Sequence, residues 1–102
     1  MEVKQSGQDF LAYIQKDEPV MKNLTSICKK NDIFNGQISG IGAVNCIEIG
    51  AYDLSSKKYL RKIYKEIHEL VSFQGNVTLK DGNPFIHAHI TLADHDLVTR
   101  GG

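Results

Sequence analysis

Residues 86–92 read Ile86-His87-Ala88-His89-Ile90-Thr91-Leu92, and apolar and polar side chains alternate along them without interruption. Successive side chains of a β-strand point to opposite faces of the sheet, so the alternation predicts a strand that turns one apolar face toward the core. His87, His89 and Thr91 then share the other face. We expect this strand to run from Phe85 to Ala93.

This strand is predicted to be the second strand of a β-hairpin. Residues 70–79 alternate between apolar and polar side chains in the same way, and Lys80-Asp81-Gly82-Asn83 separates the two stretches. Asp-Gly is a preferred pair in two-residue hairpin turns because both positions take positive φ angles. Two more segments with a strand-like pattern lie at residues 9–15 and 45–52.

The clearest helical pattern covers about residues 18–30. Its apolar side chains recur at spacings of three and four and therefore form one stripe. We expect Asp17 to cap the N-terminus, Pro19 to lie in the first turn, and Asn31 to take a left-handed conformation at the C-terminus. Glu18 complements the positive end of the helix dipole. The stripe consists of Val20, Met21, Leu24, Ile27 and Cys28.

The segment from Tyr59 to Val71 is ambiguous. Its apolar side chains also recur at helical spacing, so periodicity alone predicts a helix there. The same region contains the basic cluster of the chain, which is more often a solvated face than a nucleic-acid surface. The cluster consists of Lys57, Lys58, Arg61, Lys62 and Lys65.

The length of the chain indicates one domain that spans residues 1–102, and the predicted helix and strands give it an α+β class. The chain is 41% hydrophobic and 24% charged, which is ordinary for globular proteins and argues against disorder. No apolar run approaches the ~20 residues of a membrane span, and the first residues lack the apolar core of a secretion signal. We therefore expect a cytoplasmic protein without a membrane partner. Twelve basic and twelve acidic residues give a net charge of zero, which supplies no general attraction to nucleic acid.

Several small motifs are interpreted structurally. Cys28 and Cys46 form no CxxC pair, and their surroundings predict two buried thiols. Gly40 and Gly42 lie in a stretch that matches neither common phosphate-binding pattern, so we expect a turn or a close backbone approach there. We place Gly101-Gly102 in a second loop. The chain has no GxSxG motif, and nothing else in the sequence supports nucleophilic catalysis, so we expect a binding protein rather than an enzyme.

The two histidines at positions 87 and 89 are the most specific chemical feature. In a strand their Cα atoms lie roughly 7 Å apart, so their ring nitrogens can converge on one zinc ion at ~2.0–2.1 Å. A zinc site needs three protein ligands if it is catalytic and four if it is structural. His95, His68 and Glu69 are candidates for a further donor. The alternative is that both imidazoles form hydrogen bonds at the sheet surface or at a subunit contact.

Four short motifs follow the predicted helix in a fixed order. They are Ser39-Gly40-Ile41-Gly42-Ala43-Val44, Glu69-Leu70-Val71-Ser72-Phe73-Gln74-Gly75-Asn76, Asp81-Gly82-Asn83-Pro84-Phe85-Ile86-His87-Ala88-His89, and Gly101-Gly102. In this order and spacing they resemble the plants-and-prokaryotes conserved (PPC) domain. The resemblance covers about Phe10 to Gly102.

The resemblance implies a mostly antiparallel sheet with one main helix packed on it, assembled as a homotrimer. It also implies that residues 59–70 are mainly strand, and we follow it over the helical periodicity. Plant members carry an AT-hook, which this chain lacks, and act in transcription, while small bacterial members are named predicted DNA-binding proteins. In some prokaryotic relatives a histidine after the double glycine joins the His-x-His pair as a metal ligand. We therefore expect a third ligand just after Gly102 or from another subunit.

These observations give three functional expectations. The first is a small bacterial homotrimeric PPC protein that serves as a binding or regulatory module, with DNA or a transcription-related protein as its partner. The second is a metal site, zinc being the expected ion, held by His87 and His89. Such a site holds a structural ion, or activates water for hydrolysis with Glu69 as orienting group or base. The third is a sensor that binds a small ligand between subunits.

Overall fold

The computed structural model describes residues 1–102 and contains one α-helix and eight β-strands. The elements are β1 (Glu2–Ser6), β2 (Asp9–Tyr13), α1 (Val20–Lys30), β3 (Gly36–Val44), β4 (Ile47–Asp53), β5 (Lys58–Tyr64), β6 (His68–Lys80), β7 (Asn83–Ala93) and β8 (Thr99–Gly101). The chain is therefore mostly strand, with the one helix that the sequence predicts.

The strands form three hydrogen-bonded sheets. β1 pairs with β2, and β4 pairs with β5, each as an antiparallel hairpin. The third sheet has the order β3-β6-β7-β8, and β8 runs antiparallel to β7. The predicted α+β class with mostly antiparallel strands is confirmed.

The chain divides into two units. The first unit consists of residues 1–36 and 77–86 and holds β1, β2, α1 and the turn between β6 and β7. The second unit consists of residues 37–76 and 87–102 and holds β4, β5, β8 and most of the four-stranded sheet. Both histidines of the His-x-His pair belong to the second unit.

Residues 59–70 are mainly extended, as the family resemblance implies, and the helix predicted from periodicity is wrong. β5 pairs with β4 over seven consecutive residue pairs, and the following strand, β6, begins at His68. The hydrogen bonds to β4 stabilise β5 in the extended conformation, so its local helical spacing does not decide the structure.

The turn between β6 and β7 has the predicted backbone conformation. Asp81 and Gly82 have φ angles of 51° and 79°, the left-handed values that a two-residue hairpin turn requires. β6 ends at Lys80 and β7 begins at Asn83, directly on either side. The predicted hairpin is therefore confirmed.

Both ends of α1 differ in detail from the prediction. Asp17 lies in a turn with φ 69°, and the N-cap is Pro19, which offers no side-chain hydrogen bond. Glu18 accepts a hydrogen bond from the N-terminal ammonium group at 2.6 Å. At the other end Asn31 has φ −111°, and Asp32 takes the left-handed conformation instead, with φ 52°. With its 11 residues, α1 is too short to cross a bilayer.

The glycines predicted to lie in turns are mostly in strands. Gly40 and Gly42 lie within β3, and Gly101 is the last residue of β8. None of them has the positive φ that would mark a glycine turn. A close backbone approach occurs elsewhere, because a Cβ atom on Gly102 would lie 2.8 Å from the carbonyl oxygen of Gly50.

The core contains few side chains. Leu92 is completely buried, and seven other apolar side chains are at most 8% exposed. A domain this small buries a limited share of its apolar surface, and many large apolar side chains of this chain stay exposed. The buried apolar residues are Ile27, Cys28, Leu70, Phe73, Val77, Ile86, Leu92 and Ala93.

The two cysteines differ in exposure. Cys28 is buried on α1 as predicted, and this burial raises the pKa of its thiol. Cys46 is exposed, which corrects the prediction of a second buried thiol. It lies in the bend between β3 and β4 with φ 50°, outside the strand to which its sequence pattern assigns it.

Candidate functional site

The two histidines lie side by side on the exposed face of β7. Ile86 and Leu92 are 8% and 0% exposed, whereas His87 and His89 are both exposed. The centroids of the two imidazole rings are 5.3 Å apart, and the ring planes meet at 42°. The alternation predicted for this strand is confirmed.

The spacing of the rings suits two imidazoles that share one metal ion. Two histidine ligands on a tetrahedral zinc ion, each with a Zn–N distance of about 2.0–2.1 Å, have ring centroids roughly 5 Å apart. The observed 5.3 Å between His87 and His89 agrees with this value. The spacing of the two rings therefore permits both to donate a nitrogen to one ion.

β6 adds polar side chains beside the pair. Gly75 marks the register of the two strands, because a Cβ atom on it would lie 3.2 Å from Ala88 Cβ and 3.2 Å from the carbonyl oxygen of His87. Neighbours across two strands share a face of the sheet, so Gln74 and Asn76 fall on the histidine face. Both are exposed, and their amides suit hydrogen bonds to an imidazole N–H or to a water molecule.

β8 ends beside the histidines along the other edge of β7. Thr91 pairs with Gly101, and Ile90 exchanges both backbone hydrogen bonds with Gly102, at 2.8 and 3.1 Å. The next pair of this ladder would bring the position after Gly102 opposite His89. Such non-hydrogen-bonded pairs hold their side chains closest together. A donor at that position, which the family resemblance implies, would be within reach of the pair.

The other candidate donors lie away from the pair within one copy of the chain. His68 is buried, and its Nδ1 is 2.9 Å from the carbonyl oxygen of Glu66. Glu69 lies six residues before Gly75, which is roughly 20 Å along a strand. His95 lies beyond the end of β7, in an exposed turn. No group of three His, Cys, Asp or Glu side chains that could hold a metal ion forms in the chain.

A second polar cluster fixes the loop between β7 and β8. Oδ1 of Asp94 accepts hydrogen bonds from the backbone N–H groups of Asp96 and Val98, at 2.9 and 3.0 Å. Oδ2 accepts one from Nη1 of Arg100 at 2.9 Å. These bonds, above all the one from Arg100, lower the pKa of the Asp94 carboxyl group. The cluster thereby holds a loop in which Leu97 has φ 63° and is 82% exposed.

Exchange of Asp94 for asparagine is expected to lower the melting temperature by roughly a few degrees. The amide oxygen can still accept the backbone bonds, so the main loss is the charged bond to Arg100. Because the folded-state pKa of Asp94 is lowered, its charge stabilises the fold above the ordinary value of 3.8, and this stabilisation is lost as the pH falls through the lowered value. Thermal unfolding between pH 3 and pH 7 measures both effects. The control is Asp96→Asn, and equal loss in the two variants would contradict the assignment.

Two features of the second unit were not predicted from the sequence. Arg100 was not singled out, because its contact with Asp94 depends on the conformation of the loop between them. Tyr52 and Tyr59 form an exposed aromatic pair on β4 and β5, with ring centroids 5.2 Å apart. The sequence carries a signal for this pair, since Tyr52 and Tyr59 are placed symmetrically about the short, mostly polar segment that joins β4 to β5.

Comparison with known proteins gives a family and several structural neighbours. The family model described as Plants and Prokaryotes Conserved (PCC) domain, the family abbreviated PPC above, matches residues 1–102. A PPC protein from Pyrococcus horikoshii is 36% identical, with a TM-score of 0.84 over 87% of this chain and 62% of its own. No protein with a curated function matches the chain.

Two further structures are similar to this chain. A candidate DNA-binding protein from Bacteroides thetaiotaomicron is 27% identical, with a TM-score of 0.95 over 99% of this chain and 71% of its own. A metal-containing protein from Archaeoglobus fulgidus is 35% identical, with a TM-score of 0.77 over 81% of this chain and 59% of its own. The chain thus spans about three fifths of the length of the Pyrococcus and Archaeoglobus proteins.

Proposed function

Because the chain belongs to the Plants and Prokaryotes Conserved domain family, we propose that it is a homotrimeric binding and regulatory module whose partner is DNA. The proposed assembly is supported mainly by β3, which is an edge strand of the four-stranded sheet. The neighbour from Bacteroides thetaiotaomicron, named as a candidate DNA-binding protein, supports the choice of partner.

β3 has the properties of a strand that pairs with another chain. It lies at the edge of the four-stranded sheet, and its nine residues include no charged side chain and no proline. Soluble proteins usually protect an edge strand with such residues, because its free N–H and C=O groups are a template for further pairing. Ile41, in the middle of β3, is 83% exposed. Contact with a second copy would cover this side chain and satisfy the free backbone groups.

Threefold symmetry restricts how β3 can be used. In a closed trimer each interface joins two different surfaces, whereas pairing of β3 with β3 would give a twofold dimer. The proposed trimer therefore requires β3 of one copy to contact another element of the next. The mass of the particle in solution distinguishes the two arrangements.

Duplex DNA is expected to bind the assembled protein with an affinity that falls steeply with salt. The net charge of the chain is zero, so binding has to come from a local basic surface that neutralises phosphates. A labelled duplex of about 30 base pairs, titrated at several salt concentrations, measures the affinity and the number of phosphates neutralised. Heparin serves as the control for general binding of polyanions. Absence of affinity for duplexes of several sequences at low salt would contradict duplex DNA as the partner.

A metal site at His87 and His89 is the second candidate function. It is supported by the 5.3 Å ring spacing and by the metal-containing neighbour from Archaeoglobus fulgidus. Imidazole nitrogen is a usual zinc ligand, and the pair supplies two of the three or four ligands that zinc requires. We propose that the remaining ligand comes from the position after Gly102 or from a second copy. A site with three protein ligands would leave one position for water and hydrolytic chemistry, while four would hold a structural ion.

A further inference from the structure

The hairpin of β4 and β5 differs in composition from the rest of the chain. Residues 47–65 contain three of the four tyrosines and five of the twelve basic residues, with only two acidic residues. This segment therefore has a net charge of +3, although the whole chain is neutral. The seven residues of β5 include three basic and two aromatic residues, in the order Lys58-Tyr59-Leu60-Arg61-Lys62-Ile63-Tyr64. We call residues 47–65 the basic hairpin.

Two tyrosines form an exposed aromatic surface on the basic hairpin. Tyr52 and Tyr59 are paired across the two strands, with ring centroids 5.2 Å apart and an angle of 60° between the rings. They are 49% and 63% exposed. An edge-to-face pair can stabilise a hairpin, but about half of this ring surface stays open to solvent. Their exposed faces are therefore available to a flat ligand.

Basic side chains lie close to this aromatic surface. Arg61 lies on the same face as the tyrosines, and its side chain is 68% exposed, with one weak ion pair to Glu48 at 3.3 Å. Lys58 and Lys62 lie on the opposite face of β5, and both are exposed. β4 and β5 form a sheet of only two strands, so β5 has a free edge. The long lysine side chains can reach a ligand along that edge from the other face.

We infer that the basic hairpin binds single-stranded nucleic acid. Bases of a single strand can stack on tyrosine rings, while its phosphates are neutralised by the nearby lysines and Arg61. Bases of a duplex are already stacked on each other and offer no free face to a tyrosine ring. The combination of Tyr52 and Tyr59 with nearby basic side chains thus selects unpaired bases. Binding of single strands at this surface requires neither the histidine pair nor binding of duplex DNA.

The test compares a labelled thymidine oligonucleotide of about 15 nucleotides with a duplex of equal length, by fluorescence anisotropy at low salt. Wild type is expected to bind the single strand more tightly than the duplex. The double variant Tyr52→Leu/Tyr59→Leu keeps apolar bulk but lacks rings, and it should bind the single strand roughly tenfold or more weakly. Lys58→Gln/Lys62→Gln should weaken binding and reduce its dependence on salt.

Matched controls use similar side chains outside the hairpin. Tyr13→Leu removes another exposed tyrosine, and Lys29→Gln/Lys30→Gln removes two exposed lysines of α1. Both controls should bind within about twofold of wild type. Equal weakening in the controls, or no affinity of wild type for the single strand, would overturn the inference. Binding of the duplex alone would overturn it while leaving the proposed DNA-binding function intact.

Two more measurements keep the result interpretable. The chain contains no tryptophan, so its intrinsic fluorescence comes from four tyrosines. Stacking of bases should quench this fluorescence in wild type on addition of the oligonucleotide, and unchanged fluorescence at saturation would contradict stacking. Circular dichroism and sedimentation compare the fold and the mass of each variant with wild type. If the tyrosine variant binds weakly because it has changed its oligomeric state, the hairpin is a subunit contact and the inference fails.

Discussion

Exchange of Ile41 for lysine is expected to convert the assembled protein into single chains of 11.4 kDa. Ile41 is 83% exposed at the centre of the uncharged edge strand β3, so it would be covered in an assembly that uses this edge. An unpaired ammonium group buried there should weaken assembly by roughly a hundredfold or more. Sedimentation velocity over a range of protein concentrations measures the mass and the dissociation constant.

Leu97→Lys is the matched control for this experiment. Leu97 is 82% exposed, but it lies in the loop between β7 and β8 rather than on the edge of the sheet. The control should keep the mass of wild type. A wild-type protein that sediments as a single chain at all concentrations would contradict the proposed assembly. A particle of two chains would replace the trimer by a dimer in which β3 pairs with β3.

The fold was predictable where the local pattern and the tertiary environment agree. The alternation around Ile90 and the Asp81-Gly82 turn each correspond to one structure, so β7 and its hairpin follow from the sequence. β5 carries a helical spacing of apolar residues, and its extended form depends on pairing with β4, which periodicity does not report. Cys46 shows the same limit, because one bend residue with positive φ removes it from the strand and exposes it.

The candidate site was predictable in part for the same reason. His87 and His89 share a face because of a property of one strand, which is visible in the sequence. The surroundings of the pair depend on the registers of β6 and β8 against β7. Those registers bring Gln74 next to the pair and leave Glu69 several residues away. Contacts between strands that are distant in sequence decide both outcomes, and a single sequence does not encode them in a local pattern.

Replacement of both histidines, as His87→Ala/His89→Ala, is expected to weaken zinc binding strongly. The two imidazoles are the nitrogen donors that the strand brings together, so their loss should reduce zinc affinity by roughly a hundredfold or more. Protein purified without a histidine tag and stripped of metal would be titrated with zinc against a coloured chelator. His95→Ala is the control, because His95 is exposed but lies beyond the strand. Equal zinc affinity in wild type and the double variant would exclude the site.

The origin of the third zinc ligand decides whether the Ile41→Lys substitution also affects zinc binding. If a second copy supplies it, the Ile41→Lys chain should lose zinc affinity together with its assembly, although both histidines are intact. If the ligand follows Gly102 on the same chain, the Ile41→Lys variant of a protein that includes this position should keep its affinity. The register at Ile90 and Gly102, with backbone hydrogen bonds of 2.8 and 3.1 Å, favours the second outcome. If the ladder continues by one pair, the next residue would lie opposite His89, so zinc should bind to a single chain as well as to an assembly.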